Sequence, residues 1–106
     1  MLEAVASYQQ ATRRLRALLD GVDSGLDVFT AMIEGGDSAA AVLLGTDASA
    51  SRHEFAAAMA AFEVSRRRLR VAVLRLGQKE GEGVADLAKA LGISRQLAYK
   101  LLAEGK

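Results

Sequence analysis

Four side chains near the end of this 106-residue chain are of types that can read a nucleic acid: Arg95, Gln96, Tyr99 and Lys100. Arg and Gln can make bidentate contacts with guanine and adenine edges in the major groove. Lys and Tyr suit phosphate or base contacts. If Ser94 starts a helix, about 100° per residue sends Gln96, Tyr99, Lys100 and Ala103 outward. Arg95 then lies at the edge of that face, and Ser94, Ala98, Leu101 and Leu102 turn inward. The first half of such a helix is where base reading normally takes place. No other constellation suggests chemistry. His53 is the only His and has no Ser or Cys partner in view, carboxylates are scattered, and neither a phosphate-cradling glycine loop nor a metal-ligand pattern occurs. The expectation is a protein that is not an enzyme, with no cofactor and no metal.

The elements that would hold these residues lie within 83–102, GVADLAKALGISRQLAYKLL. Gly83 suits a helix N-cap, and Asp86 places a carboxylate in the first turn. Val84, Leu87, Ala88 and Leu91 fall on one face, and Ala88 is small where two helices must cross closely. Gly92 suits a left-handed turn, Ile93 plugs the corner, and Ser94 caps a second helix whose Ala98 and Leu101 face back to the core.

This stretch resembles the helix-turn-helix DNA-binding domains of small bacterial transcriptional regulators, and the tri-helical head of site-specific recombinases. The marks are Ala88, Gly92, Ile93, Ser94 and Leu101, followed by Arg95-Gln96 and Tyr99-Lys100. They cover about a fifth of the chain. The resemblance implies sequence-specific binding of double-stranded DNA through Ser94, Arg95, Gln96, Tyr99 and Lys100, in transcription control or DNA organisation. Ala98 departs from the branched aliphatic usual in that family. Leu97 and Leu102 add apolar surface that residues 71–76 would cover, acting as the first helix of three. The chain has no room for a wing hairpin after the motif.

The rest of the sequence reads as helical scaffold. It has no Pro, is rich in Ala, Leu, Arg, Glu and Val, and is sparse in strand formers. Ala4, Tyr8, Ala11, Leu15, Leu18 and Val22 recur at helical spacing, and Leu26, Phe29 and Ile33 prolong the stripe. This predicts a long helix to about Glu34 with a kink or weak point near Gly21, stopped by Gly35-Gly36. Asp37 or Ser38 can cap a short helix over 39–44, closed by Gly45. Ser51 and Glu54 have capping-box spacing, or are ordinary polar loop residues. A longer helix over about 50–76 carries Phe55, Met59, Phe62, Leu69, Val73 and Leu76 on a heptad seam, with Arg66 as its polar member. Met59 and the two Phe are expected in the core, with this helix packed antiparallel on the first.

The fold expected is therefore all-α: a long antiparallel helical hairpin carrying a C-terminal tri-helical head. Residues 1–78 form the scaffold and 79–106 the head, which packs on about 69–78. A homodimer fits, since such heads usually work in pairs across successive major grooves. Phe55, Met59, Phe62, Leu69 and Val73 are its candidate interface, with residues 2–22 the second choice. A monomeric hairpin is the alternative.

Residues 1–54 hold four Lys or Arg against eight Asp or Glu, and residues 55–106 hold ten against five. Such asymmetry points to a polyanion-facing end, or to electrostatic matching of packed helices. Arg67, Arg68, Arg70, Arg75, Lys79 and Lys89 can reach flanking phosphates, or the arginines can pair with Asp20, Asp23 or Asp27. Glu80, Glu82 and Glu104 would repel phosphate, which keeps open a helical protein–protein adaptor with a non-DNA-binding helix-turn-helix. The absence of Cys excludes disulfides and thiolate metal sites. No stretch reaches the roughly 20 apolar residues of a membrane span, and the N-terminus lacks a secretion signal. A cytoplasmic bacterial protein is expected, and its Gly, Ala and Arg richness fits a GC-rich genome.

Overall fold

In the computed structural model, which describes residues 1–104, the chain is all-helical: α1 (Leu2–Glu34), α2 (Ala39–Gly45), α3 (Ala48–Lys79), α4 (Val84–Leu91) and α5 (Arg95–Glu104). Among the described residues there is no strand. Residues 105 and 106, the end of the expected head, lie outside the described residues. No described helix is long and apolar enough to cross a membrane.

Helix α1 runs unbroken through Gly21 and Gly25 for 33 residues. Each glycine costs a helix interior roughly 1 kcal/mol relative to Ala, which the flanking Ala- and Leu-rich turns absorb. The end falls where the glycine pair predicts. Gly36 takes a φ of 89°, its N–H donates to the Ile33 carbonyl at 3.0 Å, and the Asp37 N–H donates to the Met32 carbonyl at 3.1 Å. The Ser38 hydroxyl then caps α2 by accepting the Ala41 N–H at 3.2 Å.

Helix α3 starts earlier than the sequence suggests. Asp47, with a φ of 50°, makes the turn, and the Ser51 N–H already donates to the Asp47 carbonyl at 3.1 Å. Ser51 is thus inside the helix, so the expected Ser51–Glu54 capping box is not formed. The other end extends past Leu76 to Lys79.

The chain divides into two compact units, Met1–Gln10 with Glu63–Lys106, and Ala11–Phe62. In the first, Val71 and Leu74 of α3, Val84 and Ala88 of α4, and Ala98 and Leu101 of α5 form one buried cluster. Leu87, Leu91, Ile93, Leu97 and Leu102 pack against it. Full burial of a side chain such as Leu74 contributes about 1.5–3 kcal/mol. In the same unit the hydroxyls of Ser7 and Ser65 lie 3.2 Å apart, which satisfies the otherwise buried Ser65.

In the second unit only Ala11, Val42 and Ala58 are buried among the apolar residues. Leu15, Leu18, Phe29, Phe55 and Phe62 are half-buried, while Val22, Leu26 and Ile33, which the sequence stripe sends inward, are exposed. In the part of α3 before Val71 the buried positions are Ala58 and Ser65, each one residue before the expected seam members Met59 and Arg66. Met59 is exposed, which corrects its assignment to the core. A heptad template favours large apolar residues, but burial at these two turns falls on small ones.

Candidate functional site

The polar side chains that opened the sequence argument lie on α5, and local rules explain its placement. Gly83 occupies the N-cap of α4 in extended conformation, its carbonyl accepting the Leu87 N–H at 3.1 Å, with Asp86 in the first turn. At the far end Gly92 takes a φ of 72° and ψ of 27°. Its N–H donates to the Lys89 carbonyl at 3.1 Å, and the Ile93 N–H donates to the Ala88 carbonyl at 3.0 Å. This paired closure satisfies two orphan carbonyls and needs a left-handed residue, which glycine supplies without strain. The Ser94 hydroxyl then accepts the Leu97 N–H at 3.0 Å and starts α5. Three residues therefore reverse the chain and aim the second helix.

Once aimed, α5 has two distinct sides. Ala98 is 0% exposed and Leu101 3%, both within the buried cluster. Arg95, Gln96, Tyr99 and Lys100 are all exposed, Tyr99 at 56%. Ser94 is exposed while its hydroxyl serves as the cap, and Leu97 and Leu102 are half-buried rather than open. Ala88 of α4 and Ala98 of α5 are both buried in the same cluster, where their small side chains take little room.

Sequence reasoning missed the role of Gly77. It is buried inside α3, and a Cβ placed there would meet the Leu87 side chain at 2.5, 2.7 and 3.2 Å. The missing side chain is the seat into which α4 docks. A glycine inside the last turn of a helix that otherwise lacks them was the available signal.

The flanking cations are distributed unevenly. Arg75, Gln78 and Tyr99 line one shallow depression with Leu102 and Ala103, so Arg75 borders the outward face of α5. Arg67, Arg68 and Arg75 share a second groove with Leu101 and Glu104. There the Arg67 guanidinium pairs with the Glu104 carboxylate, tying α3 to the last turn of α5. Arg66 pairs with Glu63 at 3.3 Å on its own helix. Arg68, Arg75, Lys79 and Lys89 are exposed and Arg70 is half-buried; Arg70, Lys79 and Lys89 line neither groove. Phe55, Phe62, Leu69 and Val73 are half-buried along α3, so the structure does not gather them into one exposed patch with Met59. Among the described residues no group of His, Cys, Asp and Glu is placed to hold a metal ion.

No protein-family profile, curated protein or solved structure matches this chain.

Proposed function

We propose that this chain is a sequence-specific double-stranded DNA-binding protein, in which α4 and α5 act as a helix-turn-helix and the end of α3 as the third helix of a tri-helical head. The observation that carries this reading is the division of α5. Its apolar side is held in the core by Ala98 and Leu101, while Arg95, Gln96, Tyr99 and Lys100 stand in solvent at its first turns. A ten-residue helix is roughly 15 Å long, which suits one pass along a major groove. Arg95 and Gln96 would read base edges, Lys100 and Tyr99 would take phosphate or base contacts, and Arg75, bordering the same face, would take a flanking phosphate. Transcription control in a bacterial cytoplasm, by a dimer built on an antiparallel pair of long helices, is the role that fits such a head.

A second reading is favoured by one observation. Glu104 lies at the end of α5 and shares the charge of Arg67, which weakens the positive field of that groove. In that reading the head contacts another protein and never meets DNA.

The two readings separate on a gel. The DNA reading expects retention of mixed duplexes at low salt, with log affinity falling linearly with log salt as counterions are released. Replacing Arg95→Ala and Gln96→Ala together should remove sequence preference while leaving much of the bulk binding. Selection from a random duplex pool should return an inverted repeat with half-sites about 34–36 Å apart. Unchanged preference in the double variant, or no retention at low salt, rejects DNA reading by α5 in favour of the adaptor.

A further inference from the structure

We propose that the depression between the end of α3 and the flank of α5 seats one backbone phosphate of a DNA duplex, held by the Arg75 guanidinium, the Gln78 amide and the Tyr99 hydroxyl. This rests on the DNA reading above and deepens it: Tyr99 becomes a phosphate ligand, and Gln78 joins the interface.

The depression is open, about 360 Å³ in volume, and lined by Arg75 and Gln78 of α3 and by Tyr99, Leu102 and Ala103 of α5. Arg75 and Gln78 are three residues apart and therefore share one face of α3. Both are exposed, as is Tyr99. All three side chains can donate hydrogen bonds, and no carboxylate is among the lining residues. Among the described residues none of the three side chains has a hydrogen-bond or ion-pair partner. The neighbouring arginines differ: Arg66 is engaged by Glu63 and Arg67 by Glu104. Arg75 also borders the groove that holds Glu104, yet that carboxylate goes to Arg67. The depression thus offers one unpaired cation beside two neutral donors. That set matches a singly charged phosphodiester with two free oxygens.

Its place in the head fits the same ligand. A helix is about 10–12 Å across with its side chains and the major groove about 12 Å wide. When the outward face of α5 meets the bases, its flank therefore lies against a sugar–phosphate wall. Tyr99 belongs to that outward face and to the depression at once. The end of α3 is also closed off. The Gly81 N–H donates to the Gln78 carbonyl at 3.0 Å, and the Glu82 N–H donates to the Gly77 carbonyl at 2.9 Å. These bonds occupy carbonyls that would otherwise repel a nearby anion. Glu80 stands two residues beyond Gln78, about 200° round the helix and so on its far side.

Titration of the full chain into its preferred duplex and a mixed duplex, followed by fluorescence anisotropy over a range of salt, tests the seat. Arg75→Gln should weaken both complexes about tenfold and lower the slope of log affinity against log salt by about 0.9. Gln78→Ala and Tyr99→Phe should each weaken both about threefold at unchanged slope, since each removes a neutral donor. Gln78→Lys should tighten both and raise the slope by about 0.9, a gain that misfolding cannot imitate. The preference between the two duplexes should stay within about twofold of the parent in every variant. A single methylphosphonate scanned along the preferred duplex should find one position that cancels the effects of Arg75→Gln and Gln78→Lys alike. A lost preference in Tyr99→Phe makes Tyr99 a base reader and overturns the proposal. Indifference to both Gln78 variants overturns it too, as does the lack of any such shared position. Those outcomes leave DNA binding by α5 standing. A parent that retains no duplex at low salt removes the DNA reading and the phosphate seat together.

Discussion

The two units use apolar residues in opposite ways. The unit containing α4 and α5 closes a small core with six buried side chains from three helices, and Leu87, Leu91, Ile93, Leu97 and Leu102 pack half-buried against it, while Leu2 and Val64 stay exposed. The Ala11–Phe62 unit buries only Ala11, Val42 and Ala58, and leaves Leu19, Val22, Leu26, Val28, Ile33, Leu43 and Leu44 exposed. Composition does not separate them, since both are rich in Leu, Val and Ala. The difference lies in the number of directions from which a side chain can be met. Where a third helix caps the crossing of two others, every inward position finds neighbours. Where two long helices lie side by side, each keeps a second apolar edge with nothing of its own chain over it. A complete core supports a surface whose polar groups can be specified. An incomplete one calls for something to cover it.

The contrast can be broken at its strongest point first. Leu74→Ala removes a side chain that is 0% exposed at the centre of the closed core. It should destabilise that unit by about 3 kcal/mol in urea-induced unfolding, within the usual range for buried Leu. A loss below about 1 kcal/mol would mean that the core is looser than its burial implies.

Gly77→Ala sharpens the same point. Ala favours helix over Gly by about 1 kcal/mol, yet the new Cβ runs into Leu87. The steric cost should win, leaving a net loss of about 1–2 kcal/mol and faster amide exchange in α4. A net gain would show that Leu87 moves aside freely.

The smallest effect belongs to the other unit. Leu44→Ala, at a side chain 84% exposed, should change stability by less than about 0.5 kcal/mol. The equal chemistry of Leu44 and Leu74 makes the comparison direct, and similar losses at both would erase the distinction drawn here.

How much of this was legible in the residues depended on the range of the forces involved. The α4–turn–α5 segment was readable because its determinants sit within a few residues of one another: Gly83 and Ser94 as caps, Gly92 at the left-handed position, Ala88 on the inner face. Ala98, a departure from the branched aliphatic of the family this stretch resembles, is nonetheless fully buried. The stop at Gly35-Gly36 was readable for the same reason. The start of α3 was not, because Asp47 turns the chain with a φ of 50°, a conformation its type permits without announcing it. The depth order along α3 was not legible either. Periodicity ranks positions by hydrophobic size, whereas the residues buried there, Ala58 and Ser65, are small. The length of α1 is legible but the weak point expected near Gly21 does not interrupt it, since the cost of about 1 kcal/mol per glycine is small beside the rest of a 33-residue helix. The Arg67–Glu104 pair joins residues far apart in sequence and had no local signal at all.

The exposure of Tyr99 has a practical use. The chain contains no Trp and two Tyr, Tyr8 and Tyr99, so its ultraviolet emission is not drowned by indole. One phenol stands half-covered near the start of α1, and the other stands open on the outward side of α5. The unlabelled protein thus carries its own optical probe on the face in question. A Tyr8→Phe version would leave a single emitter there, whose quenching could be followed as duplex is titrated in.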